Sequence, residues 1–96
     1  MDTQAEILSK LYDLKPFLRK EFNVVKIGLF GSFADNTNTE NSDIDILIEI
    51  DKPIGWRFFS LELYLEKIFN KKIDIVTQKA LKAQIRDHIL QNVKFV

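Results

Sequence analysis

The chain has 96 residues, which is enough for one domain, and 12 Ile, 11 Leu, 8 Phe and 5 Val exclude disorder as its main state. Fourteen basic groups against 14 acidic ones argue against a general nucleic-acid coat, and the absence of Cys excludes a disulfide framework or a thiolate zinc site. The charge is unevenly spread: residues 31–51 carry six acidic groups and no basic one, while residues 52–96 carry nine basic and four acidic.

The start, Met1-Asp2-Thr3-Gln4, has neither a basic nor an apolar leader segment, and no apolar run approaches the ~18 residues of a membrane span. The expectation is therefore a cytoplasmic protein without membrane association. Thr3-Gln4-Ala5-Glu6 reads as a capping box, and Ile7, Leu8, Leu11, Leu14 and Leu18 then repeat at helical spacing. Pro16 is expected to kink this helix or restart it near Asp13, and Asn23 to stop it. Val24–Phe30 is β-branched and apolar, a buried strand that runs straight into Gly31-Ser32.

Residues 35–42 are all polar and form a loop. From Asp43 to Ile50 the residues alternate: Ile44, Ile46, Ile48 and Ile50 face one way, and Asp43, Asp45, Leu47 and Glu49 the other. Pro53 and Gly55 end this strand. Trp56–Asn70 reads as a helix with Phe58, Phe59, Leu61, Leu65, Ile68 and Phe69 mostly inward. Lys72–Val76 is a short strand. Thr77 is placed to cap a last helix over 78–92 with an inner stripe of Leu81, Ile85, His88 and Ile89, and Val93–Val96 adds a final short strand. The fold class is α/β: a small mixed sheet of three or four strands packed with helices, one domain over 1–96.

Three acidic residues and one turn carry the chemistry. Asp43 and Asp45 lie two apart on a strand, so both point to one face, about 6.6 Å apart along the chain. Asp74 sits between Ile73 and Ile75 in a neighbouring strand, where a buried carboxylate costs free energy unless paired or bound to a cation. Gly31 lets the backbone approach an anion, and the Ser32 hydroxyl and nearby amides are donors for phosphate oxygens. Each element alone has an ordinary explanation: a tight turn for Gly31-Ser32, an exposed polar face for Asp43 and Asp45, an ion pair with Lys71 or Lys72 for Asp74.

Gly31-Ser32, ten residues, then Asp43-Ile44-Asp45 resembles the signature of the DNA polymerase beta-like nucleotidyltransferase superfamily. The whole chain is similar to the minimal nucleotidyltransferases of prokaryotes, the small partners in HEPN/MNT toxin–antitoxin pairs. The resemblance implies that Asp43, Asp45 and Asp74 bind Mg²⁺, two ions in all, and that Gly31 and Ser32 contact the phosphates of ATP. It implies transfer of AMP to a tyrosine of a helical HEPN ribonuclease toxin, which silences the toxin within a hetero-oligomer. Asp74 is the candidate to deprotonate the attacking hydroxyl.

Many members follow Gly-Ser-x-Ala with Arg-Gly, whereas this chain has Asp35-Asn36. An Arg beside the triphosphate would offset its charge and an Asp adds to it. This substitution keeps open a second reading, an antitoxin that acts by binding alone. A small-molecule nucleotidyltransferase is a third, and it would need an acceptor domain for which 96 residues leave no room unless a partner subunit supplies it.

The remaining residues read more plainly. His88 is expected to be half-buried packing on the last helix, with no second ligand nearby. Trp56 is expected in the core, with an exposed partner anchor as the alternative. Lys71, Lys72, Lys79, Lys82 and Arg86 read as a solvated flank beside the acidic segment, with contact to ATP phosphates or nucleic acid as the alternative, and direct nucleic-acid binding is not the expectation for the protein.

Overall fold

The computed structural model describes residues 3–96; Met1 and Asp2, which complete the expected domain and open the segment read for a leader, lie outside the described residues. Helix α1 (Gln4–Phe22) starts at the capping box read from sequence. The Glu6 amide donates to Thr3 Oγ1 at 3.2 Å and the Thr3 amide to Glu6 Oε1 at 3.0 Å. The helix ends on Asn23 in the left-handed conformation (φ 58°), whose amide donates back to Arg19 and Leu18.

Helix α1 runs through Pro16 without a break, against the expected restart. An interior proline costs roughly 3 kcal/mol. Leu11 and Leu18 on either side are fully buried, at about 1.5–3 kcal/mol each, and the exposed proline ring meets solvent. Burial of the flanking turns outweighs the lost hydrogen bond.

Strand β1 (Val24–Phe30) leads into a four-residue helix, α2 (Gly31–Ala34), then the polar loop, then β2 (Ile44–Ile50). Helix α3 (Arg57–Phe69) crosses to β3 (Ile73–Thr77), which pairs parallel to β2. A 3₁₀ turn (Gln78–Ala80), helix α4 (Ala83–Asn92) and β4 (Lys94–Phe95) complete the chain. The sheet order is β3-β2-β1-β4, with β1 antiparallel to both of its neighbours.

The period-two alternation divides the sheet. Ile44, Ile46 and Ile48 join Ile27, Leu29, Ile73 and Ile75 in one buried cluster with Ile7, Leu11, Leu18 of α1 and Leu61, Leu65, Phe69 of α3. Register places Phe30, Gly28 and Lys26 of β1, Asp45, Leu47 and Glu49 of β2, and Asp74 and Val76 of β3 on the opposite face. Leu47 is buried there, outside the main cluster.

Helix α3 buries Leu61, Leu65 and Phe69 as expected, but Phe59 and Ile68 are exposed and Trp56, just ahead of the helix, is 83% exposed. The expectation of a core Trp56 is therefore corrected. On a helix turning about 100° per residue, positions 56 and 59 fall some 140–160° from Leu61, on the solvent side. The Trp56 and Phe59 rings lie 5.9 Å apart and form, with Leu63, an exposed apolar stripe.

The last helix also differs. Thr77 makes no side-chain cap bond, because its backbone belongs to the β3 ladder opposite Ile48. Leu81 and Lys82 adopt extended conformations between the 3₁₀ turn and α4. That break resets the angular phase of the helix. Ile85 and His88 turn outward and are exposed, while Arg86, Ile89 and Leu90 are half-buried. His88 is thus a surface residue rather than a packed one.

Gly28 is required by close approach. A Cβ at this position would lie 2.7 Å from Val93 Cγ2 and 2.9 Å from Phe95 Cδ1. Gly28→Ala is expected to destabilise by about 1–3 kcal/mol through overpacking, read from the urea midpoint. An unchanged midpoint would mean that β4 is not seated on β1.

Candidate active site

The candidate residues meet where β1 ends and β2 and β3 begin. Gly31 has φ +74°, a conformation that side chains disfavour, and it turns the chain from strand into α2. The space its side chain would fill is taken by Asp45: a Cβ on Gly31 would overlap the Asp45 carboxylate. Asp45 pairs in register with Phe30 on β1 and with Asp74 on β3. In-register neighbours share a face at about 4.8 Å strand spacing, so Asp45 and Asp74 stand side by side. Asp43 precedes β2 by one residue and is exposed; Ser32 is half-buried in α2, and its carbonyl accepts from the Thr37 amide at 2.9 Å.

Asp45, not Asp74, is the carboxylate that the fold partly buries. Ile73 and Ile75 are buried, but the alternation sends Asp74 to the other face, where it is exposed. Nor does Lys71 hold it: the Lys71 ammonium donates to the Glu40 carbonyl at 3.0 Å and lies over the Phe33 ring. The strained carboxylate is Asp45, half-buried in the centre of the sheet. Burial first, then the charges of Asp74 and Asp43, push its pKa up to about 6.

All three causes act in the same direction, and no cation among the described residues offsets them. Hard oxygen donors facing one another without a counter-charge suit a divalent cation of the Mg²⁺ type. Among the described residues, no three Asp, Glu, His or Cys side chains form a ready metal cage. Mg²⁺ commonly uses only one or two carboxylates and completes its shell with water and substrate phosphates, so an open face fits it.

Two supports were not legible in the sequence. Gln4 Nε2 donates to the carbonyls of Phe33 and Ala34 at 3.0 and 2.8 Å, tying α2 to the first turn of α1. Some 29 residues separate these partners, and no local pattern announces the pairing. Asn36 adopts φ 58°, so where the resemblance implies glycine this chain keeps the left-handed backbone with the residue type that best tolerates it. Asp35, exposed at the end of α2, therefore changes charge rather than geometry.

A stability prediction follows from Asp45. Its native pKa lies above the unfolded value, so between about pH 4 and about pH 6 the native state binds more protons than the unfolded one. Its contribution to stability therefore falls as pH rises through that window. Asp45→Asn is expected to stabilise the metal-free protein at pH 7 and to leave it unchanged near pH 3.5, where both states carry the proton. Melting curves at the two pH values check this; an unfolded Asp45→Asn variant would make the residue structural.

The chain belongs to the nucleotidyltransferase domain family, whose profile matches residues 11–96. The protein adenylyltransferase MntA of Thermococcus cleftensis is 38% identical over 97 residues, covering 100% of this chain and 98% of that protein. A solved minimal nucleotidyltransferase superposes with TM-score 0.82 at 21% identity, over 97% of this chain and 95% of the other. The MNT antitoxin complexed with a tri-AMPylated HEPN toxin of Shewanella oneidensis gives TM-score 0.69 at 20% identity, over 97% and 71%. These two superpositions establish the fold, a mixed four-stranded sheet with four helices. Family membership makes the chain an enzyme of the nucleotidyltransferase class. Among the described residues no helix is long and apolar enough to cross a membrane.

Proposed function

We propose that this protein is a Mg²⁺-dependent antitoxin that transfers AMP from ATP to a tyrosine of a HEPN ribonuclease toxin. The observation that carries the reading is the side-by-side placement of Asp45 and Asp74 against Gly31. The identity to a protein adenylyltransferase over the whole chain supports it, and so does the fold shared with an antitoxin bound to an AMPylated toxin.

Asp43, Asp45 and Asp74 would hold the cations, two in all. Held there, Mg²⁺ would neutralise triphosphate charge and help orient the α-phosphoryl group. Gly31, bare of side chain, lets the backbone of α2 approach the phosphates, with Ser32 as a hydroxyl donor. Asp74, exposed on the open face, accepts the proton of the attacking hydroxyl. That oxygen bonds to the α-phosphorus, the bond to the bridging oxygen breaks, and pyrophosphate leaves. The pair works in the cytoplasm as a hetero-oligomer.

The test is incubation with ATP, Mg²⁺ and the helical toxin, followed by the mass of the toxin. An AMP adduct on a tyrosine is the expected outcome. A toxin neutralised at unchanged mass favours the second reading, a binding antitoxin on a retired enzyme scaffold, which the Asp35 charge motivates. Asp35→Arg places a cation beside the end of α2 and is expected to speed transfer several-fold. A slower rate in that variant would remove the charge argument.

A further inference from the structure

The outer edge of β1 is only half covered. Strand β4 pairs with Gly28 and Leu29, and the Val96 amide donates to the Ile27 carbonyl at 3.1 Å. Beyond that point, toward Val24, no strand among the described residues lies beside the edge. The β1–β2 register shifts between Val24 and Lys26, and Val25 is in register with a residue of neither neighbour. A groove of about 410 Å³ runs along this stretch, lined by Lys15, Pro16 and Arg19 of α1 and by residues 24–27 of β1. Three of its seven lining residues are cationic and none is acidic.

We infer that this groove binds an extended acidic peptide segment of a partner protein, added antiparallel to β1 in line with β4. The adjoining stretch already displays the recognition chemistry. There a passing chain gives its amide to β1 and its carbonyl to the Lys15 ammonium, at 2.9 Å. A peptide continuing that line meets the backbone of Val25, then Arg19, with Lys26 on the open face of the sheet. Strand addition supplies main-chain hydrogen bonds, and the cations choose the partner.

Lys26 on the edge strand guards it against indiscriminate pairing. The same three cations repel a basic strand and attract carboxylates at alternate positions. They also disfavour a second copy of this chain, because a two-fold pairing of β1 edges would set Lys26 and Arg19 against their own duplicates. The surface is independent of the carboxylate site, since Val24 lies at the end of β1 remote from Gly31.

The test uses the full chain, labelled with ¹⁵N, and two blocked synthetic octapeptides, one alternating Glu with Val and one alternating Lys with Val. The acidic peptide is expected to shift amides of Val24 to Ile27 and of Arg19, while the basic one leaves them in place. Lys26→Glu is expected to weaken acidic-peptide binding about tenfold. Arg19→Gln, which leaves the strand untouched, is expected to weaken it in the same direction. Equal binding of both peptides, shifts confined to other elements, or a concentration-dependent dimer abolished by Lys26→Glu would each overturn the proposal.

Discussion

Replacing Asp43 and Asp45 together by Ala is expected to abolish AMP transfer while leaving the toxin bound. The two carboxylates lie on the open face, away from the cluster that α1 and α3 cover, so their loss removes no core packing. On the proposed mechanism, what it removes is the charge that would hold cations against the triphosphate. That charge acts most strongly as the α-phosphorus is attacked, so the loss falls on the transition state as well as on affinity. A fall on the order of a thousandfold or more is expected in the rate at saturating ATP. The metal-free variant should melt no lower than the wild type, because Asp45 no longer faces Asp74 across the β2–β3 pairing. The measurement is single-turnover transfer to the toxin alongside co-purification of the pair. Undiminished transfer would end the assignment of the site, whatever became of binding.

Gly31→Ala is expected to have a comparable effect on rate from a single methyl group. The methyl would occupy the volume of the Asp45 carboxylate, so Asp45 must rotate away or β1 must move. The left-handed backbone at Gly31 adds a penalty of about 1–3 kcal/mol for a residue with a side chain. Displacement of Asp45 by even ~1 Å costs about a hundredfold in a reaction that depends on alignment. The expected result is a folded protein with a lowered melting point and almost no transfer. An active Gly31→Ala variant would mean that Asp45 does not need its present position.

Local chemistry explains what was legible without coordinates. The capping box at Thr3 and Glu6, the β-branched run of β1 and the alternation of β2 each depend on neighbours within a few residues. The adjacency of Asp45 and Asp74 followed from two strand assignments and a resemblance in spacing, and the register bears out the side-by-side placement. The errors share a different cause. Whether Trp56 is buried depends on which side of α3 meets α1, and helical spacing alone admits several sides when nine of the fourteen residues 56–69 are apolar or aromatic. The phase of α4 hinges on two extended residues, Leu81 and Lys82, that carry no glycine or proline to announce them. The Gln4 brace joins residues some 29 apart and the approach of Phe95 to Gly28 joins residues 67 apart, beyond the reach of any local pattern.

The division of the sheet into two faces has a consequence for how the protein tolerates change. Along β2, even-numbered isoleucines hold the domain together, while Asp45 at an odd position belongs to the proposed catalytic site. Stability and activity are therefore written on alternate letters of one seven-residue word. A slip of β2 by a single residue would bury Asp45 and expose Ile44, Ile46 and Ile48 in one step. Such a slip forfeits both properties together, so the folding landscape strongly disfavours near-native misregistered states. Point substitutions behave in the opposite way. They fall on one face or the other, and selection on this strand has two nearly separate handles, one for persistence of the fold and one for rate.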